Sequence, residues 1–255
     1  LPEIRCSHDL FGTTTLGGLF PQDVPIRAVM GDSHAALYGA GCGCEGMAKA
    51  TYGTGSSVML FTGRQPVVSR HGLAATVAWG RNGQTYYGLE GNINYAGAVI
   101  EWLIHRAGLL TSADEAEALA LQAAPADSTV FVPAFTGLGA PHWAPEMRAA
   151  IVGMGSTTGR AEIVRAAVDS IAYQVTDVLR AMAEDVGQPA AQLFCDGGAV
   201  RNSYLMQRQS ELLRSVIRVA ENQDGSCAGA AKMAGEAAGL YGGDTVFGAW
   251  QREYR

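Results

Sequence analysis

The order of its segments constrains this chain most. The first half reads as a run of strands and the second half alternates helix with strand, an order that predicts an α/β fold with a mixed sheet and helices on its faces. Short apolar runs at residues 26–30, 47–51, 57–61, 73–79 and 85–89 are strand-like, and Asn82-Gly83 has the composition of a hairpin turn between the last two. Residues 1–20 are mixed and glycine-punctuated and read as an irregular approach. Small residues over 33–40 suit a short helix. Helical spacing follows at 95–107 and at 112–123, where Ser112 is a plausible N-cap. The clearest helix covers 159–186: Ile163, Ala167, Ile171, Val175, Val178 and Met182 recur on one face, Thr158 can cap its start and Gly187 can end it. Residues 130–135, 150–154, 193–195 and 216–219 read as strands, and 202–213 and 226–240 as helices. The last helix is rich in Ala and Gly, which permit close packing.

Composition narrows the function classes. A chain of 255 residues, 48% apolar, can bury one large core or two modest ones. Its 33 glycines show no Gly-X-Y period, which excludes collagen and points to tight turns and close backbone approaches. The net charge of −6 and the lack of a basic cluster argue against nucleic acid as a partner. No apolar run nears the roughly 20 residues that cross a bilayer. The 5 cysteines have no framework spacing and read as reduced thiols of a cytoplasmic protein. The 5 histidines are dispersed without metal-ligand spacing; His34 stands out for its place beside Asp32. The opening on Leu1, with no signal-peptide pattern after it, predicts a piece of a longer protein.

Four motifs could carry chemistry. Gly41-Cys42-Gly43-Cys44-Glu45-Gly46 has the spacing of a dinucleotide turn, but it follows a helix-like segment and no acid lies about 20 residues on, so it reads as a loop and supports an oxidoreductase poorly. Tyr52-Gly53-Thr54-Gly55-Ser56-Ser57 is either a structural hairpin tip or a phosphate cradle of converging amides. Asp196-Gly197-Gly198 is either a plain strand-to-helix turn or a backbone on which a flat ligand can lie. Asp32, at a strand end beside Gly31, is either an N-cap or a carboxylate able to take a proton from a hydroxyl and to bind magnesium through water.

These pieces occur in the order of a known family. Leu1-Pro2-Glu3-Ile4-Arg5, Gly31-Asp32 with Ala35-Ala36-Leu37, Thr51-Tyr52-Gly53-Thr54-Gly55, the run Pro-Ala-Phe-Thr-Gly-Leu-Gly-Ala-Pro-His-Trp at 133–143, Ser170-Ile171-Ala172-Tyr173-Gln174 and Asp196-Gly197-Gly198-Ala199-Val200 with Asn202 together resemble the FGGY carbohydrate kinases, most of all the members that phosphorylate glycerol. Residues 149–169 also resemble that family's second signature. The likeness runs from residue 1 to about 239. It implies the actin-like, ribonuclease-H-like fold, with ATP and Mg2+ as cofactors and a sugar or polyol as substrate. It further implies that residues 1–255 are the C-terminal nucleotide-binding domain, and that the N-terminal domain, the other half of the active site, is a partner absent from this chain. Homo-oligomerisation stays open, and the isolated chain is expected to be inactive.

Carried over by position, Asp32 resembles the catalytic base and a water-mediated metal contact. Gly53, Thr54 and Gly55 match the phosphate loop. Gly97 and Glu101 match positions near the nucleotide, and Gly197, Gly198 and Asn202 the adenine side. Glu101 stands where glycerol-phosphorylating members usually carry Gln, and a carboxylate accepts but cannot donate. Ser33 and Ser57 stand where those members carry Gln and Phe against the substrate. Two serines imply a roomier, more polar pocket, suited to a larger polyol or a ketose. The rival expectation is a non-catalytic nucleotide-binding or regulatory module of the same fold.

Overall fold

The computed structural model describes residues 2–221, 224–240, 242 and 250–255. Its centre is a seven-stranded mixed sheet. The strands, in chain order, are β3 (Met47–Tyr52), β4 (Ser56–Gly63), β5 (Ala74–Arg81), β6 (Gln84–Ile93), β9 (Gln192–Asp196), β10 (Ile217–Ala220) and β11 (Trp250–Tyr254), in spatial order β11-β10-β9-β3-β4-β6-β5. β3, β9 and β10 are parallel, and the remaining pairs are antiparallel. Asn82 and Gly83 both adopt positive φ, 51° and 71°, the conformation that a tight two-residue hairpin demands.

Side chains alternate between two cores, as the two-residue period of a strand requires. Val58 and Leu60 of β4 join a large core with α2 (Gly97–His105), α4 (Arg160–Val186) and α5 (Ser203–Leu213), against which α3 (Glu115–Gln122) packs. Met59 and Phe61 point the other way and join Leu37, Tyr38 and Met233, from α1 (Asp32–Gly39) and α6 (Gly225–Ala237). The expected α/β architecture, a mixed sheet with helices on both faces, is therefore present. Phe61 stacks on Trp79 with ring centroids 4.9 Å apart in the second core.

α1 and α6 touch through glycines. A Cβ at Gly39 would fall 2.8 Å from the Gly225 carbonyl oxygen, and one at Gly229 would fall 1.7 Å from the Ala35 carbonyl oxygen. No side chain fits between these backbones, so the approach depends on both residues having none.

Several expectations need correction. The segment expected to be irregular is so only at 2–7 and 15–20: between them β1 (His8–Thr14) pairs antiparallel with β2 (Val24–Ala28), and this ribbon lies outside the main sheet. The buried strand expected at 26–30 is β2, partly exposed and ended at Ala28. Backbone pairing holds the ribbon while Leu10, Phe11, Val24 and Ile26 stay exposed, so it carries no burial alternation. β7 (Val130–Val132) and β8 (Ala150–Val152) are shorter than expected and pair only with each other. α3 starts at Glu115, so Ser112 is no cap. Thr158 does not cap α4 either. Its hydroxyl donates to Asp127, while Glu162 takes the Gly159 amide at 2.9 Å and the Ala124 amide at 2.9 Å. Gly187 ends α4 at φ 80°, as expected.

Candidate functional site

Two glycine turns meet at the ends of β3 and β9. Gly53–Gly55 follows Tyr52, and its tip is fixed to the start of α2. The Ala96 and Ala98 amides donate to the Thr54 carbonyl, each at 3.0 Å, and the Gly97 amide to the Gly53 carbonyl at 2.9 Å. A Cβ on Gly97 would stand 2.6 Å from the Gly53 oxygen, and one on Gly55 2.5 Å from the Ile93 oxygen, so both must be glycine. Gly197, after Asp196, has φ 95° and would put a Cβ 2.5 Å from the Tyr52 carbonyl oxygen. Gly198 differs: a Cβ there would meet nothing within 4 Å, so its backbone borders open space.

Between the turns lies a cleft of about 470 Å³. Six of the positions singled out from sequence line it: Gly53, Thr54, Gly97, Glu101, Gly198 and Asn202. Gly55 and Gly197 are not lining residues and act as the tight backbone behind them. The Asn202 side chain caps α5 by accepting the Leu205 amide at 2.9 Å, which leaves its NH2 end as the one that can donate outward. Glu101 is exposed on the rim and meets His105, four residues on, at 3.1 Å. Ile100, Ile171 and Leu205 supply apolar wall.

Sequence reasoning missed Tyr52, Glu117 and Arg201 in this lining. Glu117 accepts the Ser203 amide at 3.0 Å, placing its charge at the positive end of α5. Tyr52 is fully buried, and its hydroxyl donates to Gln209 at 2.9 Å; Gln209 in turn donates to Thr176 at 2.8 Å. Burial pushes the Tyr52 phenol well above its ordinary range, so it remains an O–H donor. This buried chain ties the end of β3 to α5 and α4 and holds the cleft floor. Elsewhere on α4, burial raises the Asp169 carboxyl above its usual range, against the opposing pull of the Tyr204 hydroxyl at 2.9 Å and of Arg208.

Asp32, Ser33 and Ser57 do not line the cleft. Gly31, not Asp32, holds the N-cap position of α1; Asp32 lies one residue inside, exposed, with its Oδ1 accepting the Ser33 amide at 2.7 Å. A continuous set of contacts nevertheless leads from it to the second turn. Ser226 donates to the Asp32 carbonyl at 2.9 Å, and a Cβ on the adjacent Gly225 would lie 2.4 Å from Asp196 Oδ2, next to Gly197. Ser57 donates to Glu90 at 3.2 Å. In register Ser57 pairs with Thr51, and Thr51 with Asp196, so the three share the α1–α6 face of the sheet. The cleft walls lie on the opposite face, and the glycine turns occupy the strand ends between them. His34 anchors α1 to β5 through Thr76 at 2.9 Å. Residues 41–46 form a loop that leads into β3, as expected, and open no helix.

Among the described residues no group of three or more His, Cys, Asp or Glu could hold a metal ion, and no helix is long and apolar enough to cross a membrane. All five cysteines are free thiols.

Comparison with known proteins gives this geometry a family. The sequence profile described as "FGGY family of carbohydrate kinases, C-terminal domain" matches residues 48–238. The chain is 47% identical over 242 residues to a glycerol kinase of Alkalilimnicola ehrlichii, covering 95% of this chain and 49% of that protein. It is 45% identical over 244 residues to a glycerol kinase of Francisella tularensis subsp. novicida, covering 94% and 48%. The structure superposes on Plasmodium falciparum glycerol kinase with ADP at a TM-score of 0.88 and 33% identity, covering 94% of this chain and 48% of that one. A ligand-bound xylulose kinase of Lactobacillus acidophilus shares the fold at a TM-score of 0.84 and 18% identity, covering 99% and 52%. The fold is thus the actin-like, ribonuclease-H-like one of these kinases, and the chain belongs to the FGGY family of carbohydrate kinases. It spans about half the length of the curated relatives it matches.

Proposed function

We propose that the protein transfers the γ-phosphoryl group of ATP to a hydroxyl of a sugar or polyol, and that this chain is its C-terminal domain, supplying the nucleotide site and the base. The observation that carries this reading is the convergence of Gly53, Thr54, Gly97, Glu101, Gly198 and Asn202 on one cleft. Phosphoryl transfer needs alignment and charge stabilisation more than covalent help from the protein. In this reading the nucleoside lies on the open backbone of Gly198, between the apolar wall and the Asn202 NH2 group. Its phosphates cross the sheet end over the glycine turns, and Asp32, on the other face, takes the proton of the attacking hydroxyl. The α2 amides already serve the Gly53 and Thr54 carbonyls, so the turn offers Thr54's own amide and hydroxyl to the phosphates. ADP leaves as the new oxygen–phosphorus bond forms.

Magnesium enters this proposal as the companion of the phosphates, with Asp32 offering one carboxylate through water. Among the described residues no group of acids, histidines or cysteines forms a metal cage of its own. The N-terminal domain is the proposed source of the remaining phosphate and polyol contacts, and free thiols suit a cytoplasmic setting.

Small hydroxyl side chains at Ser33 and Ser57 favour a substrate larger than glycerol. The test is a coupled ADP-release assay on the full-length protein with glycerol, longer polyols and ketoses. Faster turnover of a longer polyol or ketose is expected, with none from this chain alone. A clear preference for glycerol would overturn the substrate assignment. ADP binding without transfer to any acceptor would establish the non-catalytic module instead.

A further inference from the structure

We infer that the buried Lys49–Asp196 pair is a positioning device that fixes the two glycine turns and the Asp32-bearing helix in one geometry; the inference rests on the kinase reading above. Lys49 Nζ stands 2.8 Å from Asp196 Oδ1, and the two side chains are only 3% and 5% exposed. The contact is one of charge, without a well-aligned hydrogen bond at Oδ1, and Lys49 donates instead to Thr51 on its own strand. A buried ion pair of this kind is a poor source of stability compared with apolar residues of like shape. Its location explains it better. Lys49 lies on β3, which runs into Gly53. Asp196 is the last residue of β9, immediately before Gly197.

Asp196 has a third neighbour. Its Oδ2 lies 2.4 Å from where a Cβ of Gly225 would be, at the first residue of α6, so a carboxylate faces the positive end of a 13-residue helix. The next residue, Ser226, holds the Asp32 carbonyl at 2.9 Å. One carboxylate therefore touches the strand before the phosphate turn, the turn beside the nucleoside and the helix that carries α1. Losing either charge leaves the other without its partner at 2.8 Å; losing both removes that imbalance but also the tie between the three elements.

That difference makes the test. In the full-length protein, Lys49→Met and Asp196→Asn alone are expected to lower the thermal midpoint by on the order of 10 °C. The double variant should regain most of that loss. A purely structural pair would then recover activity as well. A positioning pair would not: kcat should stay about 100-fold down, with the KM for the acceptor little changed. Amide hydrogen exchange at 53–55 and 197–198 should quicken together by about tenfold, while the strands β3 and β9 keep their protection. A double variant with native exchange in both turns and native kcat would overturn the inference. If the unmodified protein proves inactive, the kinase reading fails, and the exchange result still decides the positioning role. Should the double variant not fold, Lys49→Arg decides: protected turns are expected because the charge is kept, and turns loosened despite it would overturn the inference.

Discussion

Replacing Asp32 with Asn in the full-length protein is expected to lower kcat by about 10²–10⁴-fold while leaving ADP affinity within about twofold. Asn keeps the shape and the Oδ1 that accepts the Ser33 amide, so α1 should start as before. It cannot take a proton. Asp32 lies outside the cleft lining, so the nucleoside contacts should not register the change. Steady-state kinetics with an ADP titration checks both halves. Near-normal turnover would remove Asp32 from the role of base, and a parallel loss of ADP binding would show that the variant disturbs the site as a whole.

The second large effect is structural. Gly229→Ala is expected to cost about 3 kcal/mol or more of unfolding free energy, because its new methyl would stand 1.7 Å from the Ala35 carbonyl oxygen. α6 would have to move away from α1, and α1 begins at Asp32. Gly155→Ala is the control: nothing lies within 4 Å of its Cβ position, and a change within about 0.5 kcal/mol is expected. Urea denaturation of both variants gives the comparison. Equal stability would mean that the two helices are not held at glycine contact.

Much of this arrangement was legible in the sequence, and the parts that were not share physical causes. The Asn82-Gly83 hairpin, α4 with Gly187 at its end, and the turns after Tyr52 and Asp196 are set by local preference and periodicity, which a linear reading captures. The β1–β2 ribbon is held by backbone pairing with apolar side chains left exposed, so alternation could not reveal it. β11 pairs with a strand some thirty residues earlier and offers no local signal. Thr158 and Ser112 looked like caps because their chemistry fits, but Glu162 serves the α4 start and α3 begins later. Glu117 reads as one more acid on a solvated helix until α5 is placed beside it. Lys49 would pass for a solvent-facing strand residue; only the parallel register of β3 with β9 brings it to Asp196. The glycines at 39 and 229 signal close packing, but not with which partner.

The placement of Asp32 is where sequence and structure differ most usefully. The resemblance implies one site, whereas the residues it names fall on two sides of the sheet end: six line the cleft on the α4–α5 face, and Asp32 and Ser57 lie on the α1–α6 face. In the proposed reading the phosphates cross that edge over the two glycine turns.

The crystal structure of the full-length protein with a non-hydrolysable ATP analogue and its acceptor would decide the matter. The nucleoside should occupy the cleft at Gly198 and Asn202, the phosphates should rest on residues 53–55, and the Asp32 carboxylate should come within about 3.2 Å of the acceptor hydroxyl. A nucleotide seated elsewhere, or a carboxylate still remote from that hydroxyl in the closed complex, would contradict the assignment.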